Sequence, residues 1–129
     1  MQTHTRALIA AAAFAFVTGR KVAGMFDHTA GQDLRIAAEA RGDRLQGHDG
    51  DRDAAFGGTL PEIQEAGASS SITIKRHEGR ATGYDRASET HFEAVVEDGM
   101  VKLYDHGEAA WFAYEIQDAD AAQSYYRGG

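Results

Sequence analysis

Three aspartates at alternate positions, Asp49, Asp51 and Asp53 in "HDGDRD", form the sharpest chemical motif in the chain. Their one-three-five spacing is that of an opening EF-hand calcium loop. The remainder of such a loop is missing. Ala54 stands at the sixth position, where glycine is needed, and Leu60 at the twelfth, where a bidentate glutamate is needed. A weak calcium site at a hairpin tip is the one cofactor these residues suggest. The competing reading is an acidic, solvated turn.

A second set consists of ring–carboxylate pairs. Tyr84, Asp85, Tyr104 and Asp105, with Trp111 nearby, could present equivalent aromatic and acidic groups on one rim and bind a ligand. The structural reading is that each ring covers a sheet and each aspartate forms a turn. Recurrence favours that reading, since a catalytic site rarely needs several copies of one group.

The histidines His4, His28, His48, His77, His91 and His106 form no H-x-x-x-H or H-E-x-x-H pattern. Two or three of them could meet in space around a divalent ion. At turn edges they would instead hydrogen-bond their neighbours.

Catalytic motifs are poor. The serines at 69–71 have no nucleophile elbow around them. No P-loop exists, and no G-x-G-x-x-G opens a helix. "AFGGTL" (Ala55 to Leu60) reads as a bulge or turn. The absence of cysteine removes thiol nucleophiles, thiolate metal sites and disulfides. A formal charge of −7 argues against nucleic acid and against anionic membrane surfaces.

The elements that must position these residues follow from a spacing. Phe26-Asp27, His48-Asp49, Tyr84-Asp85 and Tyr104-Asp105 each place a ring before an aspartate, and eight residues after the ring stand Leu34, Phe56, Phe92 and Phe112. An eroded fifth copy starts at Gln64-Glu65 and reaches Ile72. The starts recur with a period near twenty, the length of a β-hairpin with its connection. In that unit the ring ends a strand, the aspartate accepts backbone N–H bonds in the turn, and the apolar residue restarts the next strand.

Period-two alternation supports the strands. Phe92, Ala94 and Val96 share one face, as do Leu34, Ile36 and Ala38. Second turns fall at "EARGDR", "RHEGRA" and "VEDGMV", where Asp98-Gly99 is a strong hairpin signal. About ten strands result, near 21–27, 33–39, 43–48, 54–60, 62–65, 71–77, 80–86, 90–97, 100–106 and 110–116. The fold class is mainly β: an antiparallel up-and-down meander of hairpins that closes into a barrel, with a sandwich or open stack as the alternative.

The most apolar stretch, "TRALIAAAAFAFVTGRK", has two readings. One is a helix capped by Thr5 and ended by Gly19, plugging the open end of the barrel. The other is a secretory signal, with Arg6 as its charged region and "AFA" as a cleavage site. The stretch is too short to span a bilayer. The organisation is then 1–20 apolar helix or signal, 21–117 hairpin domain, and 118–129 a tail with at most a short helical turn. The cytoplasm is favoured, or the periplasm or exterior if residues 1–18 are a signal.

The function expected is a non-enzymatic module binding a small molecule or a protein through one face or the barrel mouth. A metal-dependent protein or hydrolase using the acidic and histidine-bearing turns is the alternative. A structural, envelope-associated protein is the third.

Overall fold

The computed structural model describes residues 1–66 and 71–118. A helix, α1 (Thr3–Thr18), is followed by ten strands: β1 (Val22–Asp27), β2 (Gln32–Arg41), β3 (Arg44–Asp49), β4 (Ala54–Thr59), β5 (Glu62–Glu65), β6 (Ser71–His77), β7 (Arg80–Asp85), β8 (Thr90–Glu97), β9 (Met100–Asp105) and β10 (Ala110–Asp118). Every strand pairs antiparallel with its neighbour in sequence, and β1 closes on β10. The closing ladder sets Met25 opposite Ile116 and Asp27 opposite Tyr114. Closure leaves no edge strand exposed. The tail beyond 118 and the serines at 69 and 70 lie outside the described residues.

The helix does more than plug an end. It runs through the lumen, packing against β1–β3 and β6–β10. All ten residues from Ala7 to Phe16 are buried, whichever way they point. A helix apolar all round needs such a covered site. Alanine at positions 10–13 keeps the helix slender at its middle, and Leu8, Ile9, Phe14 and Phe16 on either side are buried in the same core. From the sheet, alternate residues such as Ile36, Leu45, Ile63, Ile74, Phe92 and Leu103 point inward onto it.

Gly19 ends α1 in the left-handed conformation (φ 71°), and its N–H donates to the Ala15 carbonyl. The start differs from expectation. Thr5 is not the cap: it lies inside the first turn, the N-cap is Gln2, and no side chain caps it. The Arg6 N–H already bonds the Gln2 carbonyl, so the helix begins before Thr5 can serve. The helix start is held instead by Arg6 and the N-terminal ammonium, which reach across to Asp105.

The outward residues of the strands include Arg35, Gln46, Lys75, Arg80, Glu93 and Lys102, while the inside is apolar. That polarity is the reverse of a barrel whose strands face lipid. No helix among the described residues is long and apolar enough to cross a membrane.

Candidate functional site

Four loops at the rim where α1 starts, residues 28–31, 50–53, 86–89 and 106–109, have the same length and geometry. The preceding aspartates, Asp27, Asp49, Asp85 and Asp105, are at most 4% exposed. Asp27, Asp49 and Asp105 each accept N–H bonds from the residues two and three ahead. Asp85 accepts the Ala87 N–H and the Ser88 hydroxyl. The fourth loop residue takes positive φ in every case: Gly31 (67°), Asp53 (49°), Glu89 (53°) and Ala109 (53°).

This loop fixes the register. The residue before each ring pairs with the residue eight after it: Met25 with Leu34, Gly47 with Phe56, Gly83 with Phe92, Leu103 with Phe112. Ile63 and Ile72 pair in the same register. The recurrent spacing is thus a cross-strand contact. Where the partner is glycine, the phenylalanine ring lies flat across it; a Cβ on Gly47 or Gly83 would collide with that ring.

The expected ligand set splits across the sheet. Neighbouring residues in a strand point to opposite sides, so Asp85 and Asp105 face inward while Tyr84, Tyr104 and Trp111 face out. The carboxylates take no part in an outer site. Asp105, fully buried, lies 3.2 Å from Arg6 Nη1 and 3.4 Å from the N-terminal nitrogen. Burial raises its pKa, but the N–H groups of Glu108 and Gly107, the ammonium and Arg6 outweigh this, and the net shift is downward. Arg6 also sits 3.9 Å above the Phe112 ring. Burial, reinforced by the Asp27 carboxylate, pushes the neighbouring Tyr114 phenol far up, so it stays neutral.

The Asp49, Asp51 and Asp53 carboxylates diverge. Asp49 caps its own loop, Asp51 Oδ2 accepts the Arg35 N–H at 3.0 Å, and Asp53 Oδ1 pairs with His48 at 3.1 Å. Among the described residues, no group of three His, Asp or Glu side chains is arranged to hold a metal ion. Several histidines contact neighbours at turn edges: His28 with Glu115 at 2.6 Å, His77 with Thr82 at 2.9 Å, and His106 against the Tyr104 ring.

The outer wall of β6–β10 gathers the rings. Register sets Tyr84 beside His91, and Glu93, Tyr104 and Trp111 in one row. Ring centroids are 4.7 Å apart for Tyr84–His91, 4.8 Å for Tyr104–His106 and 5.1 Å for Tyr104–Trp111. The His106 N–H donates to the His91 carbonyl at 3.1 Å and joins the two clusters. Among the described residues Trp111 is the largest exposed apolar side chain, with 55% of its surface open.

Beside these rings runs a groove of ≈ 620 Å³, bordered by Thr73, Lys75, Thr82, Tyr84, His91, Glu93 and His106. It exists because Thr73 and Thr82 are short while Tyr84 and Lys75, directly opposite them across β6 and β7, are tall. Its floor is the backbone of Gly83 and Phe92. The sequence points to Tyr84, Tyr104 and Trp111 but not to Lys75, Glu93 or the threonines. Period-two placement on neighbouring hairpins was the signal that could have found them. No family model, curated protein or solved structure matches the chain.

Proposed function

We propose that the chain is a non-enzymatic binding module whose working surface is the outer wall of β6–β10. The observation that carries this is the placement of Tyr84, Tyr104 and Trp111 outside a barrel whose lumen is filled by α1. With α1 buried in the lumen, the outer wall is the surface left to carry a binding role. Trp111 is exposed and Tyr84 and Tyr104 are half-buried; tyrosine and tryptophan carry much of the energy at binding surfaces because they offer large rigid area at small entropic cost. The groove beside them adds concavity and polar groups that orient a ligand.

The metal-dependent or hydrolytic alternative finds less support. The candidate carboxylates are engaged in loop bonds or ion pairs, as the diverging Asp49, Asp51 and Asp53 illustrate. The envelope-associated alternative has no observation in its favour.

Trp111 is the sole tryptophan, so its emission reports on this wall alone. Small molecules, saccharides and peptides can be screened by that emission, and hits mapped by amide NMR. A genuine ligand should perturb Tyr84, Tyr104 and Trp111, and Tyr104→Ala with Trp111→Ala should weaken it about thirtyfold. Hits that map only to the opposite wall, β2–β4, would remove the reading.

A further inference from the structure

We infer that the groove takes a small ligand with a single carboxylate carried on a six-membered ring, anchored by Lys75. This rests on the outer-wall reading and names its ligand.

The border carboxylate, Glu93, and the nearby Glu62 are both compensated. Glu93 is paired with Arg80 at 3.3 Å, and Glu62, on the adjoining strand, with Arg86 at 3.0 Å. Of the three lysines, Lys21 lies 3.9 Å from Glu39 and Lys102 lies 3.9 Å from Glu97. Lys75 has no ion-pair partner among the described residues, and it lines the groove. In a chain of formal charge −7, this concavity keeps an uncompensated ammonium. One such charge fits one anionic group on the ligand.

The ring requirement comes from Tyr84. It pairs with Thr73, whereas Lys75 pairs with Thr82, so Lys75 and Tyr84 are diagonal neighbours across β6 and β7. Such neighbours stand roughly 7–8 Å apart. A six-membered ring resting on Tyr84, with its carboxylate turned toward the flexible lysine, bridges that separation. His91, 4.7 Å from Tyr84 between ring centroids, extends the platform on the far side. The volume of ≈ 620 Å³ lies within the range of small-molecule sites and suits one or two rings.

The shared chemistry belongs both to acidic sugars and to aromatic acids. The experiment is amide NMR titration of the full chain with glucuronate against glucose, and with benzoate against benzyl alcohol. The acid of at least one pair should perturb Lys75, Tyr84 and His91 and bind about tenfold more tightly than its neutral partner. Lys75→Gln should abolish that preference without moving the unfolding temperature, since Lys75 is exposed. Response to glucuronate alone assigns an acidic sugar, and response to benzoate alone an aromatic acid. Equal binding of acid and neutral partner on this wall overturns the inference and leaves the outer-wall reading standing. A preference that survives in Lys75→Gln does the same. No response to either acid at tens of millimolar overturns the inference, while shifts confined to the opposite wall overturn both.

Discussion

Inside the barrel one added carbon is a collision; on the outer wall of the same strands an indole stands in solvent. Gly83 and Tyr84 are consecutive residues of β7 and belong to these two regimes. At Gly83 an inward Cβ would strike the Thr73 carbonyl and the Phe92 ring. At Tyr84 the outward side chain rests beside the His91 ring and is half-exposed. The inner face is therefore constrained by packing around α1, and the outer face is free to carry chemistry. Interiors packed to near-crystalline density tolerate little change of volume.

The largest test of that contrast is Gly83→Val. The new side chain has nowhere to go, because one obstacle is backbone and the other is a buried ring. We expect a loss of about 4 kcal/mol or failure to fold, read by chemical denaturation. A loss below about 1 kcal/mol would mean the lumen is looser than its burial implies.

Next in size is Asp105→Asn. The carboxylate faces two cations, and its removal leaves Arg6 and the N-terminal ammonium without their buried partner. Breaking such a pair from one side costs about 3 kcal/mol. The same residue predicts a pH dependence. Its pKa is lowered on folding, so the stability it contributes is complete above the ordinary carboxylate value. That stability drains away as the pH falls through the lower folded value. The unfolding temperature should drop below about pH 4, and Asp105→Asn should show a shallower drop. Parallel curves for the two proteins would assign the acid sensitivity to other groups.

Much of this architecture is legible in the sequence, and for a local reason. Strand order, ten strands and their bounds follow from alternation and from turn pairs such as Asp98-Gly99, which takes positive φ at both residues. The helix is legible from its run of apolar residues and from Gly19. Two things are not local. Closure depends on β1 meeting β10, ninety residues away in sequence, and no short window contains it. Arg6 reads as a lone charge before an apolar run, whereas its partner Asp105 lies at the far end of the chain. One placement is legible from the strand period alone: adjacent residues point to opposite faces, so Tyr84 and Tyr104 lie outside while Asp85 and Asp105 lie inside.

A smaller effect tests the rim loops, where the inner and outer regimes meet. Ala109 holds φ 53° with no side-chain function, in the position that Gly31 fills in the first loop. Left-handed backbone costs a non-glycine residue roughly 1 kcal/mol. Ala109→Gly should therefore stabilise the protein by up to about 1 kcal/mol, less what glycine's freer unfolded chain takes back. A destabilisation of that size would show that the methyl group packs against something the geometry does not suggest.

The smallest expected change sharpens the contrast most. Trp111→Ala deletes the largest exposed apolar side chain in the described residues, yet it should move stability by no more than about 0.5 kcal/mol. Its ring touches Tyr104 at 5.1 Å and faces water on the remaining side, so little burial is lost. A residue that costs little to remove from the fold, and is nonetheless held against a second aromatic ring at the end of a row, suits the binding role proposed for this wall. Should Trp111→Ala instead cost as much as Asp105→Asn in denaturation, the indole would be part of the structural wall. The surface assigned to binding would then contract to Tyr84, His91 and the groove beside them.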